Sequence, residues 1–547
     1  MIANYRAFLI SCQKTTSGYL FKLKVNSTDT IPQLLVQQRE DGKIVATVKP
    51  IRQFGQNLYF KLNLSILPTE HLYFDIYYLY LEGDGTRIVE RLKAKSHRRA
   101  VLMNILLQPV SFETRDDKVF RIAVYSAANR DISIQVRERD QFDRTSIHLK
   151  EWFAFLAVPF VYWRYKDTVL MYEKFSNYAR DNAYYYFSYT QREQHDRNVY
   201  FIIQKDSPDI ENVKKYRSQV VHFMSFKHMI LILCSKYFLA SEAKGHCYAW
   251  RHNQSVIRFM LNRKPFVFLQ HGVLGLKQVD HTFFADNRLN HAALFMTSSE
   301  IEKQIVEDYL GYDAKNVAVT GLARWDNKNQ LPKTRTIFVM PTWRTQLELV
   351  SDAEFLESDF YHQYRDLLNS IELDQALREN NFTVNFMLHP KFVKYERYFQ
   401  SSSSRINIVR QQDVSIDVEL KSSALTITDY SSIMWDALYY NIPVYLFQFD
   451  QADYLTRQGS YLDMNRDLGE LVVMNAATLV KKLSGFMKSG ESVDIAGYQD
   501  RYFAYHDYEN SARIHQAIEN WEQDFHFETS LQRFLKRSSG KEAANVG

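Results

Sequence analysis

Residues 266–277 read Phe266-Val267-Phe268-Leu269-Gln270-His271-Gly272-Val273-Leu274-Gly275-Leu276-Lys277. The opening apolar run predicts a buried strand. It stops at the polar pair Gln270 and His271, and two glycines and a lysine follow. Such an ending places an imidazole at the carboxyl end of a strand, where α/β folds bind ligands. Histidine titrates near neutral pH, so His271 is suited to work as a general base. Gly272 and Gly275 let the backbone come close to a bound group. Read alone, the stretch also fits a turn whose histidine only satisfies a backbone group, and the rest of the chain has to separate the two.

Working outward, short apolar runs recur at Val199–Ile203, 229–234, 265–269, 292–296 and Val317–Val319, with helical segments such as 299–310 between them. This alternation predicts a parallel sheet with crossover helices. Residues 331–335, Leu-Pro-Lys-Thr-Arg, read as a linker. A second alternating set follows at 336–340, 382–388, 406–409, 425–428 and 444–447. Residues 1–145 differ: strands such as 19–25, 58–62 and 71–78 are separated by polar turns, with a hairpin turn expected at 82–85. The expected fold is α/β, a GT-B-like pair of doubly wound Rossmann-type domains with an N-terminal all-β accessory domain. The expected boundaries are 1–145 for the β domain, 146–331 and 332–525 for the two α/β domains, and 526–547 for a tail.

The chain has 547 residues, too many for one core. Its net charge of +5 and pI near 8.7 fit phosphate-bearing partners or an anionic membrane surface. No dense Lys/Arg tract or RNA-binding signature argues for nucleic acid. Three scattered cysteines, Cys12, Cys234 and Cys247, give neither a disulfide framework nor a zinc pattern and point to a reducing compartment. The start of the chain is a poor signal peptide, and the longest apolar stretch, 152–163, is about half of what spans a bilayer. That stretch, and the basic run 91–99 ahead of the apolar 100–107, are each candidates for a lipid interface. The competing readings are a buried helix for 152–163 and a solvated basic face for 91–99.

Three further segments resemble the first. Val339-Met340-Pro341-Thr342-Trp343-Arg344 ends a strand with a guanidinium suited to phosphate, although Arg344 equally fits a structural pairing with a carboxylate. Phe386-Met387-Leu388-His389-Pro390-Lys391 ends another strand with a second histidine and a cation. Thr428-Asp429-Tyr430-Ser431-Ser432 leads from a strand into a helix carrying Asp436, and Ser431 or Ser432 is a natural N-cap whose helix end suits a phosphate. In Thr320-Gly321-Leu322-Ala323-Arg324-Trp325-Asp326, Arg324 and Asp326 are expected to form a structural ion pair.

In this order and spacing the segments resemble the CDP-glycerol glycerophosphotransferase family, the teichoic acid primases and polymerases. The resemblance covers roughly 170–463, and 442–447, Asp450 and Tyr454 are part of the match. It departs from the usual pattern at Gln270, Val273, Lys391 and Leu322-Ala323. It implies transfer of a polyol phosphate from CDP-glycerol, or CDP-ribitol, to a hydroxyl of a lipid-linked polyol-phosphate or saccharide acceptor, with release of CMP. It also implies catalytic roles for His271 and His389. Substrate binding then falls to Gln270, Gly272, Lys277, Arg344, Lys391, Asp429, Ser431, Ser432 and Asp436, with no metal and no cofactor. A cytoplasmic protein at the inner face of the membrane is expected, and a homo-oligomer fits. The alternatives are a capsule polymerase, a nucleotide-sugar glycosyltransferase of GT-B plan, or a non-catalytic binding protein of that fold.

Overall fold

A computed structural model describes residues 7–525 except 26–29, 70–71, 82–85, 107, 128, 194–197, 250–254, 288, 329–330, 349 and 411. The turn expected at 82–85 and the tail at 526–547 lie outside the described residues. Two compact units divide the chain: Met1–Arg164 with Met224–Leu233 and Tyr248–Arg263, and Tyr165–Phe223 with Cys234–Cys247 and Lys264–Gly547.

The first unit is built from strands of period two. In Gly18–Val25, residues Tyr19, Phe21, Leu23 and Val25 point inward while Leu20, Lys22 and Lys24 lean toward solvent. A five-stranded and a seven-stranded sheet share one apolar core, which joins Phe21 and Phe60 of the first to Phe74, Tyr78 and Ile134 of the second. This is a β-sandwich. The basic run leads into a short helix, His97–Ile105, which contains its last three residues and is capped by Ser96 and anchored by buried Ala100 and Met103. A longer helix, Thr145–Tyr165, contains the 152–163 stretch. The buried-helix reading of that stretch does not hold. Leu149, Phe153, Leu156, Phe160 and Trp163 follow each other at steps of four and three, so they share one face, and they are between 54% and 88% exposed.

The second unit holds two parallel sheets. The first runs, in spatial order, Val220–His222, Val199–Ile203, Val169–Tyr172, Tyr237–Ala240, Phe266–Phe268, Leu294–Thr297 and Val317–Val319. The second runs Ile406–Ile408, Thr383–Phe386, Thr336–Val339, Leu425–Thr428, Val444–Phe447 and Val472–Val473. This is the GT-B-type plan. In each sheet the strand order reverses once, beside Val169–Tyr172 in the first and beside Thr336–Val339 in the second. Such switch points are where doubly wound folds bind ligands. The closing helix, Asn510–Asp524, packs Ile514, Ile518 and Trp521 into the core of the first sheet.

One expected strand is a helix. Residues 229–234 lie in the helix Phe226–Cys234, and the strand is the next run, Tyr237–Ala240. An unbroken apolar run has no period to distinguish the two. The local cap decides: the Ser225 hydroxyl accepts the N–H of His228, and the His228 ring accepts the N–H of Met224.

Candidate active site

His271 stands just past the strand Phe266–Phe268, on a backbone that turns at Gln270 through a left-handed φ of 64°. A non-glycine residue holds that conformation only when its surroundings fix it. They do so here. The Gln270 side-chain amide donates to the carbonyl of Met296 at 2.8 Å and to Glu302 at 3.0 Å, and the Gln270 carbonyl accepts from Asn182 at 2.7 Å. Glu302 also takes the N–H of Leu274 and both donors of Ser298. The expectation of a substrate-binding Gln270 is therefore corrected. Its side chain is buried and spent on the interior, so it aims His271 instead.

The His271 Nδ1 lies 2.6 Å from Asp181 and 3.8 Å from Glu242. Burial works against a charged ring, but the charge and hydrogen bond of Asp181, with Glu242 behind, outweigh it and raise the imidazole above its ordinary pKa; Arg324 opposes them. Asp181 keeps its charge: burial penalises it, and His271 and Arg324 more than compensate. With Nδ1–H donated to a carboxylate, the Nε2 lone pair is left for a substrate proton. Asp181 sits in a loop held by Glu173, which accepts the N–H groups of Arg180, Asp181 and Tyr184 at 2.8 to 3.0 Å. Burial, then the charge of Asp181, push Glu173 up to about 8.

Arg324 links this base to the second sheet. It donates to Asp181 at 3.2 Å, to the His271 carbonyl at 2.7 Å, and to both oxygens of Asp436 at 2.8 and 3.0 Å. Trp325 Nε1 adds a bond to Asp436 at 2.8 Å. The expected Arg324–Asp326 pair is not formed. Both sit in one tight turn, Ala323–Asp326, and Asp326 instead caps the closing helix through the N–H groups of Asn510 and Ser511. Asp436, expected to bind substrate, has its carboxylate occupied by Arg324 and Trp325 and so acts as a joint between the halves.

On the second sheet, Arg344 is buried. It donates to Asp429 at 2.9 Å, to Asp450 at 2.7 and 3.1 Å, and to the Thr342 carbonyl at 2.8 Å. Its expected grip on phosphate is thus corrected to a structural one, because the fork is filled by carboxylates. Asp429 also accepts the N–H groups of Thr342 and Tyr430, which sets the loop before Ser431 and Ser432. Asp450 takes the Tyr430 hydroxyl, and Tyr430 stacks on Tyr454 with centroids 3.5 Å apart. Ser432 occupies the N-cap position of the seven-residue helix Ile433–Tyr439 but makes no capping bond, while Ser431 reaches the N–H of Ile433 at 3.4 Å. A Cβ on Gly272 would lie 2.5 Å from the Ser432 hydroxyl, so the two loops touch only because residue 272 is glycine.

His389 accepts the N–H of Lys391 at Nδ1, 3.2 Å away, which leaves its proton on Nε2. Burial first, then Lys174, Lys277 and Lys391, push it down to about 4, so it is neutral at pH 7. Lys391 lies over the Trp343 ring and pairs with Glu348 at 2.7 Å. Lys277 is exposed, on a loop whose Gly275 carbonyl accepts from Tyr461 and Ser460 at 2.9 Å. Among the described residues no group of three His, Cys, Asp or Glu is placed to hold a metal ion.

Sequence reasoning missed Asp181, Glu173, Glu242 and Lys174. For Glu173, Lys174 and Glu242 the signal was the one used for His271, a polar residue one or two places past an apolar strand, whereas Asp181 lies nine residues beyond its strand and carried no such signal. That signal went unread because the strands Val169–Tyr172 and Tyr237–Ala240 were not assigned.

Residues 156–520 match the model of a family described as CDP-Glycerol:Poly(glycerophosphate) glycerophosphotransferase. The chain belongs to this family. Among curated relatives of this glycerophosphotransferase-family chain, the minor teichoic acid biosynthesis protein GgaB of Bacillus subtilis (strain 168) is 29% identical over 356 residues, covering 62% of this chain and 38% of the relative. The teichoic acid ribitol-phosphate polymerase TarL of Staphylococcus aureus (strain NCTC 8325 / PS 47) is 25% identical over 254 residues, 41% of each chain. The chain thus spans less than half the length of these relatives. A solved structure of the wall teichoic acid polymerase TagF is 14% identical, covers 70% of this chain and 100% of that one, and gives a TM-score of 0.49.

Proposed function

We propose that the chain transfers a polyol phosphate, glycerol phosphate first, from a CDP-activated donor to a hydroxyl of a lipid-linked or polymer acceptor. The observation that carries this reading is the Asp181–His271 pair, at the carboxyl edge of one sheet and in touch with the Ser432 loop of the other. In the step, His271 Nε2 takes the acceptor proton and the acceptor oxygen bonds to the polyol-bearing phosphorus. The bond from that phosphorus to the bridging oxygen breaks, and CMP leaves. Catalysis of this kind rests on positioning and charge stabilisation. The first half, 146–331, serves the acceptor, and the second, 332–525, serves the donor. His389 is neutral and donates through Nε2–H to a diphosphate oxygen, with Ser431, Ser432 and Lys391 beside it. Asp429 and Arg344 hold that loop in place, and Gly272 gives it room.

The membrane surface enters through the Thr145–Tyr165 helix. Its exposed apolar stripe is flanked by Arg144, Lys150, Arg164 and Lys166, a composition suited to an anionic interface. Among the described residues no helix is long and apolar enough to cross a membrane.

The test is CMP release from CDP-glycerol, CDP-ribitol and a panel of UDP- and GDP-sugars, with the acceptor varied. The ribitol donor is included because TarL is named a ribitol-phosphate polymerase. Release of CMP that disappears in His271→Ala and His389→Ala, with folding intact, is the expected result. Turnover of nucleotide sugars alone, or either variant at wild-type rate, would overturn the reading.

A further inference from the structure

The five-stranded sheet of the first unit carries an unbalanced charge. In spatial order its strands are Pro50–Phe54, Asn57–Asn63, Gly18–Val25, Ala7–Lys14 and Lys93–Ala94. They contain Arg52, Lys61, Lys22, Lys24, Lys14 and Lys93, and not one aspartate or glutamate. The core takes Phe21, Leu23, Leu58 and Phe60, so alternation turns Lys22, Lys24, Tyr59 and Lys61 to the outer face. Strand pairing sets them in a grid. Lys22 stands opposite Tyr59, which stands opposite Arg52 on its other side, so the three form one row across strands about 5 Å apart. Lys24 follows Lys22, and Lys61 follows Tyr59, at about 7 Å along their strands. The basic run at 91–99 joins the same sheet: Lys93–Ala94 pairs with Ala7–Lys14, and Arg99 donates to the Ile10 carbonyl at 3.1 Å.

Among the described residues Lys22, Lys24, Arg52 and Lys61 form no ion pair, whereas Lys93 is paired with Asp131 at 3.4 Å. The seven-stranded sheet differs: Asp75 balances Arg39 and Arg91, and Asp143 balances Arg121 and Arg137. Lysines on an edge strand guard against pairing with other chains, but Gly18–Val25 and Asn57–Asn63 are paired on both sides and need no such guard. Cations gathered on a flat face without a protein counterion form a surface for a polyanion. Asp143, just ahead of the Thr145–Tyr165 helix, pairs with Arg121 and Arg137. Those side chains stand on the outer face of the seven-stranded sheet, because their strands turn Ile122, Ile134 and Val136 to the core. The helix proposed to meet the membrane thus departs from the opposite side of the sandwich, so the basic face fits a soluble polyanion rather than the bilayer. Lys22 Nζ lies over the Tyr59 ring, 5.6 Å from its centroid, so the ring amid the cations is taken rather than open to a nucleobase.

We propose that this face, through Lys22, Lys24, Arg52 and Lys61, holds the chain of an acceptor already several units long. This rests on the transfer reaction proposed above, in which every transfer adds one phosphodiester, and so one negative charge, to the acceptor. The surface lies outside residues 156–520, the part matched to the family, so it is an addition carried by the accessory domain and not part of the transfer machinery. Its consequence is a dependence on length. A short acceptor is held only where transfer occurs, whereas a long one is held at two places and is recaptured in preference between transfers.

The test uses the full chain and two synthetic glycerol-phosphate oligomers, one very short and one long enough to cross the sheet. Binding is read by fluorescence anisotropy of the labelled long oligomer, and turnover by CMP release with each oligomer as acceptor. Lys22→Ala combined with Lys61→Ala is expected to weaken binding of the long oligomer by about tenfold, the scale of two exposed charge pairs. Added salt should weaken the wild type toward that variant. KM for the long acceptor should rise in parallel, while KM for the short acceptor and for the donor stays unchanged and the melting temperature does not fall. Lys22→Arg combined with Lys61→Arg retains binding. Wild-type affinity in the alanine variant, or an equal loss on both acceptors, would overturn the proposal. So would a variant that loses anionic-vesicle binding but keeps the oligomer, which would make the face a membrane contact, or a clear preference for a single-stranded oligonucleotide of equal charge. Absence of CMP release with every donor and acceptor would overturn the transfer reaction, and the anisotropy would still decide the face by itself.

Discussion

Gly272→Ala is the most revealing single change at the contact between the two loops. The added Cβ meets the Ser432 Oγ at 2.5 Å and the Ser432 Cβ at 3.0 Å. Rotation of the serine side chain relieves the first contact but not the second, because Cβ does not move with that rotation. The loops must therefore part by about 0.4 Å, the step from 3.0 Å to the 3.4 Å where ordinary contact begins. A misplacement of ~1 Å costs about 100-fold in a positioned reaction, so a few tenths of an ångström is expected to lower kcat by roughly five- to tenfold. Residue 272 is not in left-handed backbone, so alanine adds no backbone strain and the melting temperature should barely change. CMP release at saturating donor measures the effect, and the double-mutant cycle with Ser432→Gly isolates its cause. Removing the serine side chain takes away both clashing atoms, so Gly272→Ala should cost little in the Ser432→Gly background. Wild-type turnover by Gly272→Ala, or the same loss in both backgrounds, would refute the proposal that this contact sets donor against base.

Three other outcomes follow from the same geometry. Asp181 raises the His271 pKa, so the base form is gained only as pH climbs above that raised value; Asp181→Asn should move the acidic limb of the kcat/KM profile to lower pH and cut the plateau by about 10²- to 10⁴-fold, the scale of general-base catalysis. An unshifted limb measured across pH 5 to 9 would count against the pairing. Arg344→Met leaves Asp429 facing Asp450 in a buried setting, which should destabilise the second unit by about 3–5 kcal/mol; Arg344→Lys should restore little, since an ammonium cannot span both carboxylates. Thermal unfolding checks both variants. Replacing Phe153, Phe160 and Trp163 by serine should abolish co-sedimentation with anionic vesicles while leaving soluble-acceptor turnover intact, because those side chains are mostly exposed; retained vesicle binding would rule out this helix as the docking element.

The architecture was legible where pattern and period agreed. Two sets of apolar runs separated by helical spacers could fold only as parallel sheets, and the four polar strand ends located His271, Arg344, His389 and Asp429 correctly at carboxyl edges. Partners were harder to read. Arg344 and Asp429 are separated by 84 intervening residues in sequence yet bonded at 2.9 Å, and no local signal distinguishes an arginine filled by carboxylates from one awaiting phosphate. Gln270 looked like a ligand contact because it adjoins His271. A left-handed φ turns its side chain back into the interior, and sequence does not show that. The apolar stripe at 149–163 was ambiguous for a different reason. Packing against a core and docking on a lipid surface demand the same residues at the same helical steps, and only exposure separates them.

The charges around His271 oppose one another, and that opposition ties basicity to assembly of the two halves. Asp181 makes the imidazole a stronger base, and Arg324, bonded to the same carboxylate, weakens it. Arg324 is itself fixed from the other sheet by both oxygens of Asp436. Were the halves to separate, Arg324 would lose Asp436 and lean on Asp181 alone, and the carboxylate available to His271 would be shared more tightly with a guanidinium. On the proposed roles, the basicity of His271 is therefore tuned by a joint that is complete only when the second sheet is in place. The same joint brings Gly272 against Ser432. In the transfer proposed above, proton abstraction and placement of the donor loop would thus depend on one interface, coupling removal of the acceptor proton to the presence of the half that supplies the phosphorus the acceptor oxygen attacks.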